Sequence, residues 1–356
     1  MKYPKEYLDE IKLRLKVSQV VGKTVKLKRR GKEFIGLSPF TNEKTPSFTI
    51  SDEKGFYHCF SSGEHGNIFD FIMKTRSLKF GEAVRELASE AGMQPYRFSN
   101  FDVEKEKRYK TYKDILKEYA NYHNQQLLNK KGAPALNYLS KRGITKDIIL
   151  DFQIGFVSNT SEFYNILLKK FSEKEIFETG LFYKNEKYNK IINRFYSRII
   201  FPIKSVLGDI IAFGGRVIEN NNKTAKYINS PETEFYKKGK HVFNLDKAKL
   251  SNKSQQVIVV EGYMDVISVY SSGIKNVVSN SGIALTENQI NLIWKFFSNP
   301  IICLDGDKSG QQAALRIAER LFPLINEVNK IYFSILSQGK DPDDIVKDVG
   351  KEGFLK

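Results

Sequence analysis

Cysteine is scarce in this sequence, where the 356 residues include only Cys59 and Cys303. Two cysteines cannot form a disulfide framework, and so low a count is typical of a reducing compartment. The sequence also lacks an apolar run of about 18 residues and a signal-peptide pattern, so we expect a cytoplasmic protein with no membrane partner. Internal repeats and low-complexity segments are missing as well. What remains is a chain long enough to bury a sizeable core, in roughly two or three domains.

Acidic residues are outnumbered by basic ones. The sequence has 57 Lys and Arg against 41 Asp and Glu, which gives a net charge of +16. This excess favours a polyanionic partner, of which nucleic acid is the common one, although an AT-rich genome also raises the lysine content without any binding. Between residues 194 and 240, nine basic residues stand against four acids. That stretch predicts a basic groove.

Two apolar, β-branched runs each stop abruptly at a carboxylate. The run that ends at Val260 leads into Glu261, and the run that ends at Leu304 leads into Asp305 and Asp307. Such runs are typical of buried strands in a parallel α/β sheet, where ligands sit beyond the carboxyl ends of the strands. The three carboxylates could meet there and hold a hard divalent cation.

A carboxylate at a strand end can also serve only as the N-cap of the next helix. Asp307 stands where a helix could begin, so this interpretation applies to it directly. Asp341 and Asp343, however, follow a further strand-like run over residues 331–336 and add to the negative charge. Because like charges at that density repel unless a cation neutralises them, the cluster as a whole favours a metal site.

The chain divides into segments of different pattern. Residues 1–96 alternate short strands and turns before two amphipathic helices, which predicts a small antiparallel domain. Residues 97–111 are polar and charged and are predicted as a linker. Residues 112–254 form a mixed α+β subdomain, residues 255–340 alternate strand and helix as in a parallel α/β domain, and residues 341–356 begin a helical part. The predicted fold class is therefore α/β in several domains.

Short motifs in one order carry a resemblance to a known family. They are Glu43-Lys44-Thr45-Pro46-Ser47-Phe48, Arg194-Phe195, Arg198-Ile199-Ile200-Phe201-Pro202-Ile203, Phe213-Gly214-Gly215-Arg216, Lys226-Tyr227-Ile228-Asn229-Ser230-Pro231-Glu232-Thr233, Glu261-Gly262-Tyr263-Met264-Asp265 and Asp305-Gly306-Asp307. With these motifs the chain resembles the bacterial DNA primases from near residue 5 to its end. The last two form the Toprim signature, which topoisomerases and some nucleases share, so the resemblance implies a Toprim domain over residues 255–340.

The resemblance implies a template-directed RNA polymerase that makes short RNA primers on single-stranded DNA from ribonucleoside triphosphates. It assigns catalysis and the binding of Mg²⁺ or Mn²⁺ to Glu261, Asp305 and Asp307, with metal-binding support from Asp265, Asp341 and Asp343. It assigns the binding of nucleic acid and triphosphate to Arg194, Arg198, Arg216, Lys226 and Lys238.

Each of these basic residues has an alternative interpretation as a solvated surface charge. That alternative is about equally favourable for Lys226 and Lys238. It is less favourable for Arg216, which follows two glycines that would let the backbone approach a ligand.

Residues 279–286 match the family less well, since Ile283 stands where the family has a hydroxyl. If this loop contacts phosphate, its backbone N–H groups and Ser281 must do so. The favoured interpretation is structural, with Gly282 in a tight turn and Thr286 as the cap of the next helix.

The N-terminal domain of the family is a zinc ribbon, and three of its four ligands are missing here. The corresponding positions are Ser38, Thr41, Cys59 and Ser62. A structural zinc site needs four nitrogen or sulfur donors, and His123 or a second chain would have to supply the rest. We therefore predict a zinc-ribbon-like domain from which the structural Zn²⁺ is absent.

An aromatic core could keep the ribbon fold without a metal. It would be built from Phe34, Phe40, Phe48, Ile50, Phe56, Tyr57 and Phe60. In the family this domain reads template bases, and the residues that could stack on or contact single-stranded DNA here are Arg29, Arg30, Lys32, Lys44, Phe56, Tyr57 and His58. The sequence does not divide the aromatic residues between core and surface.

The family continues past the point where this sequence stops, with more of a helical bundle and a domain that binds the replicative helicase. Because the sequence ends without a helix cap, we expect a fragment or a truncated product; otherwise the helicase would be engaged differently. Two other functions stay open, a Toprim-type nuclease and a non-catalytic module that binds single-stranded DNA. The motifs between residues 194 and 240 favour the polymerase.

Overall fold

The computed structural model describes residues 3–158, 162–218, 224–251, 255–282, 284–336 and 339–355. Ile283, and Lys223 of the predicted basic stretch, lie outside these residues. The chain forms two compact units, Met1–Glu106 and Lys107–Lys356. Among the described helices, none is long and apolar enough to span a membrane.

The first unit contains one five-stranded antiparallel sheet. Its strands, in their order across the sheet, are β1 (Lys28–Arg30), β2 (Glu33–Gly36), β3 (Phe48–Ser51), β4 (Phe56–Cys59) and β5 (His65–Gly66). The predicted antiparallel meander is therefore present. Its first turn is made by Gly31, at φ 64°, so Arg29 and Arg30 belong to β1 rather than to the turn.

The first unit also has four helices: α1 (Lys5–Arg14), α2 (Val17–Gly22), α3 (Ile68–Arg76) and α4 (Phe80–Glu90). Helix α2 contacts β3, α3 contacts β5, and α4 packs against α1 and α3. Asn67 caps α3 by accepting a hydrogen bond from the backbone N–H of Phe69. The buried face of α3 places Phe71 against Tyr57, with ring centroids 5.6 Å apart, and Tyr57 stacks on Phe48 at 5.2 Å. These rings form the centre of the core.

Burial divides the aromatic residues that the sequence left undivided. Phe48, Ile50 and Tyr57 are buried, whereas Phe56 and Phe60 are exposed on the sheet surface. Phe34 and Phe40 pack at the edge of the core. Tyr57 was predicted among the residues that could stack on DNA, and this is corrected because its ring is enclosed.

The predicted linker, residues 97–111, contains the boundary between the two units and is helical over most of its length. Helix α5 runs from Asn100 to Leu128, and the boundary between the two units falls within it, between Glu106 and Lys107. Its charged residues are mostly Lys and Glu, which are good helix formers, so a polar composition here does not indicate an irregular segment.

The first half of the second unit is a mixed layer of helices and antiparallel strands. A four-stranded sheet has the order β11-β10-β9-β6, and β7 and β8 form a separate hairpin. The elements are α6 (Ala133–Lys141), α7 (Lys146–Asp151), β6 (Gly155–Phe156), α8 (Glu162–Leu168), α9 (Glu173–Glu178), β7 (Phe182–Asn185), β8 (Lys190–Asn193), β9 (Arg198–Lys204), β10 (Ile210–Val217), β11 (Tyr227–Asn229) and α10 (Leu245–Ala248).

The second half is a parallel α/β layer, as the sequence predicts. Its four strands are all parallel and have the order β13-β12-β14-β15. The elements are β12 (Gln256–Val260), α11 (Tyr263–Ser271), β13 (Val277–Ser279), α12 (Glu287–Ile293), β14 (Asn299–Leu304), α13 (Lys308–Leu321), β15 (Tyr332–Ile335) and α14 (Pro342–Phe354), the last with a break at Gly350.

The two halves of the second unit share one hydrophobic core. Phe201 and Phe243 from the first half are buried in the same cluster as Val260 and Tyr263 from the second. Phe243 also forms a β-bridge to Ser279, at the end of β13. The boundary predicted near residue 254 therefore separates two sheets that share this cluster, and two further buried clusters lie in the same unit.

Candidate active site

Glu261 and Asp305 follow two strands that are neighbours in the parallel sheet. Val259 of β12 pairs with Ile302 of β14, so both strands present their carboxyl ends at one edge. Within the described residues, no hydrogen bond reaches the carboxylate of either side chain. Two half-buried acids thus stand at the edge where ligands of such sheets bind, and they hold no hydrogen-bonded structural role in the described part of the chain.

Three further acids at this edge cap helices. Asp307 is the N-cap of α13 and accepts from the N–H of Gly310 at 2.7 Å, which is the capping role considered from the sequence. Asp265 accepts from the N–H of Gly262 at 2.9 Å, and Asp341 caps α14. A carboxylate has two oxygens, so a cap that occupies one leaves the other for a cation.

Burial and mutual repulsion raise the pKa values of these acids. Burial raises the pKa of Asp265 to about 7, with a further contribution from Asp341. Burial also raises the pKa of Glu261, with Asp305 and Asp307 as the next causes. The pKa of Asp305 is raised by burial, then by Asp341 and Asp307. A bound cation would relieve this repulsion, and carboxylate oxygen is the donor that Mg²⁺ prefers.

The acids are chemically suited to bind a divalent cation, but their side chains are not arranged around one. No group of three or more His, Cys, Asp or Glu in the described part of the chain has the arrangement of a metal site. Side chains such as Glu261 and Asp305 would therefore have to turn toward the ion. They can do so, because no hydrogen bond to either carboxylate is found among the described residues.

Asp343 has other partners, which corrects its prediction as a metal ligand. Its carboxylate is 5% exposed and binds Arg142 Nη1 at 3.0 Å and Lys347 Nζ at 2.6 Å. It also accepts from the hydroxyl of Ser268. Because two cations already neutralise it, Asp343 ties the end of α6 to α11 and α14.

Most of the predicted residues line one cavity of about 720 Å³. Its charged lining comes from both halves of the second unit and consists of Arg142, Arg194, Arg216, Lys226, Lys238, Glu261, Asp265, Asp305 and Asp341. Basic groups suited to phosphate and acids suited to a divalent cation therefore face the same space. Asp307 is not part of this lining, although it acts on the pKa of Glu261.

Arg198 is not among the lining residues, so its prediction as a ligand residue is corrected. It is 8% exposed and donates to the carbonyl oxygens of Ala225 and Lys226, at 2.9 and 3.3 Å. The guanidinium therefore holds the start of β11 and acts on Lys226 through the backbone.

Arg142 was missed by the sequence reasoning. It is the C-cap residue of α6 and is followed by Gly143 at φ 76°. A glycine directly after a helix marks its end, and this signal could have placed Arg142 at a helix terminus. Nothing in the local sequence indicates its partner Asp343, which lies 201 residues further on.

The two glycines before Arg216 make room for aromatic rings rather than for a ligand. A Cβ on Gly214 would lie 2.3 Å from Cε2 of Tyr263, and a Cβ on Gly215 would lie 2.5 Å from Cδ1 of Phe195. Gly214 is paired with Phe201 on β9 and with Asn229 on β11. Tyr263 stacks on Phe201 and donates to Asn229 Oδ1, so it covers this whole cross-strand row.

The loop before α12 has the structural role that the sequence favoured. Thr286 is the N-cap of α12 and accepts from the N–H of Gln289. Gly282 adopts φ 71°, as a tight turn requires.

Family models match three successive parts of the chain. The CHC2 zinc finger matches residues 3–103, the N-terminal domain of the DNA primase catalytic core matches residues 122–249, and the Toprim-like domain matches residues 258–346. The chain is 36% identical over 362 residues to the DNA primase of Pasteurella multocida. A crystal structure of the Aquifex aeolicus primase, with its zinc-binding and RNA polymerase domains, is 30% identical in sequence and superposes with a TM-score of 0.62. The match includes 97% of this chain and 83% of the Aquifex aeolicus chain. The chain belongs to the bacterial DNA primase family.

The relationship to these primases covers nearly all of this chain and part of theirs. The alignment to the Pasteurella multocida primase includes 99% of this chain and 61% of the relative. The Haemophilus influenzae primase is 37% identical, and its alignment includes 99% of this chain and 60% of that relative. The chain thus spans about three fifths of the length of these relatives. A DnaG primase catalytic domain solved with single-stranded DNA is 32% identical, with a TM-score of 0.64, over 70% of this chain and 78% of that one.

Membership of the primase family corrects the prediction about zinc. Because residues 3–103 match the CHC2 zinc finger, the family points to a structural zinc, and the prediction that zinc is absent was wrong. The four positions named from the sequence do not by themselves fit a zinc ion. Cys59 offers a thiol, whereas Ser38, Thr41 and Ser62 offer hydroxyls, and zinc sites use nitrogen and sulfur donors.

Hydrogen bonds join the two loops of the ribbon around Cys59. Its Sγ lies 3.1 Å from Ser38 Oγ and 3.3 Å from Ser61 Oγ, and Thr41 Oγ1 lies 2.8 Å from Ser61 Oγ. Burial alone would raise the pKa of Cys59, but the hydrogen bonds from serine lower it to about 7. His123, considered from the sequence as a rescuing ligand, is buried in the second unit beside Tyr119.

Proposed function

We propose that this chain is a DNA primase, a template-directed RNA polymerase of the cytoplasm that makes short RNA primers on single-stranded DNA. The observation that carries the proposal is the cavity of about 720 Å³, in which basic side chains face the same space as two carboxylates that have no hydrogen bond within the described residues. Its volume falls in the usual range for small-molecule sites, roughly 300–1,000 Å³, and suits one nucleoside triphosphate.

The acids and the basic residues have different tasks in this proposal. Glu261 and Asp305, with Asp265, Asp307 and Asp341, would hold Mg²⁺ or Mn²⁺, which when bound activates the 3′ hydroxyl and neutralises the leaving pyrophosphate. The triphosphate would be bound by Arg216, which suits bidentate contacts, and by Lys226 and Lys238, which suit single contacts. Arg194, fixed by a hydrogen bond from Nε to the carbonyl of Gly180, would orient the same ligand or the template.

The template is proposed to reach both units. A primase relative has been solved with single-stranded DNA, which supports the catalytic unit as one contact. In the first unit, Phe56, His58 and Phe60 alternate along one face of β4 and its continuation, and the ring of Phe60 lies 4.3 Å from that of His58. Exposed aromatic rings suit base stacking. The basic residues of this unit that are proposed to contact the template are Arg29, Arg30, Lys32 and Lys44.

The proposal is tested with a single-stranded template, ribonucleoside triphosphates and Mg²⁺. We expect the wild type to produce short RNA and Glu261→Gln and Asp305→Asn each to lose at least about 100-fold in rate, while both variants still bind the template. Asp348→Asn is the matched control, because Asp348 is an exposed acid of α14 that pairs with Lys340 and does not line the cavity.

The same assay separates the alternatives. Nicked DNA in place of RNA would indicate a Toprim-type nuclease. Template binding that weakens steeply with salt, with neither product formed, would indicate a non-catalytic binding module. Equal RNA synthesis by the wild type and both carboxylate variants would refute the assignment of Glu261 and Asp305.

A further inference from the structure

Tyr138 lies on α6 and contacts two of the arginines that line the cavity. The guanidinium carbon of Arg216 is 4.4 Å from the centre of the Tyr138 ring, and that of Arg142 is 5.5 Å from it. Both distances are within the range of attraction between a cation and an aromatic ring, about 6 Å. Tyr138 and Arg142 are four residues apart, so they lie on one face at the end of the helix. A single ring therefore contacts basic groups from two parts of the chain.

The contacts of Arg216 leave part of its guanidinium available to a ligand. Its Nε donates to the hydroxyl oxygen of Tyr227 at 3.0 Å, and its Nη1 donates to the carbonyl of Val217 at 3.2 Å. The ring of Tyr227 lies 5.6 Å away, so two tyrosines contact the same cation. A guanidinium has five N–H donors, and within the described residues the remaining donors of Arg216 have no protein partner. This side chain is 6% exposed and lines the cavity.

Arg142 is restrained in a similar way from another direction. Its Nη1 binds the buried carboxylate of Asp343 at 3.0 Å. Tyr138 supplies the second contact, and Arg142 also lines the cavity. Both arginines are thus held before a ligand arrives, which reduces the side-chain entropy that binding would cost.

We infer that Tyr138 is a positioning residue for the triphosphate, acting through Arg216 and Arg142 rather than by touching the ligand. The inference rests on the proposed function, since the triphosphate is its substrate. The aromatic ring carries the effect on Arg216, because the contact with that guanidinium is to the ring. Arg142 is contacted by the ring and also lies beside the hydroxyl of Tyr138.

Tyr138 also packs against the shared core, so the test must separate positioning from packing. Tyr138→Leu removes the ring, and Tyr138→Phe keeps it. Tyr122→Leu is the matched control: Tyr122 is a half-buried tyrosine of α5 that packs on His123 and Phe163, and no arginine contact to it is found among the described residues. Two measurements are made on the full chain, the equilibrium binding of ATP and the KM and kcat for primer synthesis.

We expect Tyr138→Leu to raise the Kd for ATP and the KM by about tenfold, with kcat changed less than about threefold. Tyr138→Phe should stay within about twofold of the wild type in both. Tyr122→Leu should lower the unfolding temperature without changing KM. In an Arg216→Lys background, Tyr138→Leu should raise the Kd for ATP and the KM by a much smaller factor than in the wild type, because the two residues act as one unit.

The inference is overturned if Tyr138→Leu keeps the wild-type Kd and KM, or if Tyr138→Phe loses as much affinity for ATP as Tyr138→Leu. Its failure is distinguishable from that of the proposed function. A wild type that binds ATP but makes no RNA refutes the polymerase, while the ATP binding of the Tyr138 variants still decides the inference.

Discussion

Replacing Gly214 by alanine should destabilise the second unit through one clash. The new Cβ would lie 2.3 Å from Cε2 and 2.5 Å from Cζ of Tyr263, so the ring or strand β10 must move by about 1 Å to restore an ordinary contact. The ring has little freedom, because it stacks on Phe201, meets Phe243 edge-on at 4.9 Å and donates to Asn229.

The size of the effect follows from this confinement. Overpacking a closed core costs about 1–3 kcal/mol, and we expect about 2–3 kcal/mol for Gly214→Ala because the neighbouring rings also lack room to move. For a unit of this size the unfolding temperature should fall by roughly 4–12 °C. Without the clash, alanine in place of a strand glycine would stabilise the protein by about 0.5–1 kcal/mol, so the sign of the change is itself informative.

The assay can use the single tryptophan of the sequence. Trp294 lies in the second unit, so its fluorescence follows the unfolding of that unit in urea or on heating. In a Tyr263→Leu background, which lacks the clashing ring atoms, Gly214→Ala should lower the unfolding free energy much less. A change of less than about 0.5 kcal/mol in the wild-type background, or an equal cost in both, would refute the reasoning.

Three further outcomes are expected. Burial lowers the pKa of His123 to about 3, whereas an unfolded histidine titrates near 6.5, so the unfolded state binds the proton first and stability is lost as pH falls from about 6.5 toward 3. His123→Phe should therefore show a shallower loss of unfolding free energy in this window, by up to about 1.4 kcal/mol per pH unit, and an unchanged slope would contradict this. Asp343→Asn should lower the unfolding free energy by about 1–3 kcal/mol in urea titrations, less than for a fully buried pair because Arg142 is 34% exposed. An unchanged unfolding free energy would contradict a stabilising role for the pair. In the first unit, Tyr57→Ala should cost about 3–5 kcal/mol and Phe60→Ala less than about 0.5 kcal/mol, measured by hydrogen exchange of β3 and β4; equal effects would exclude the observed division of the aromatic residues.

The parts of the site that depend on local pattern could be predicted from the sequence. Buried parallel strands are continuous apolar runs, so the acids that follow β12 and β14 are visible as interruptions. Thr286 could also be recognised as a cap, because capping involves only the next few residues. The division of the ribbon aromatics was also within reach, since Tyr57 and Phe56 point to opposite faces of a strand with a period of two.

The parts that depend on distant contacts could not be predicted. Asp343 resembles the other acids of the cluster in sequence, but its cationic partner Arg142 comes from α6, 201 residues earlier. The glycines at 214 and 215 suggest an approaching ligand, whereas the space is taken by rings from elsewhere in the chain. At α5 the polar composition did not reveal the helix, because the same residues that solvate a linker also favour a helix.

The shared core of the second unit limits how the chain can be divided in the laboratory. A cut near residue 255 would leave Phe201 and Phe243 on one fragment and Val260 and Tyr263 on the other, each newly open to water. Apolar patches of that kind drive aggregation. Expression of the parallel α/β half alone should therefore yield insoluble material, and co-expression of the two halves should recover soluble protein only if they reassemble.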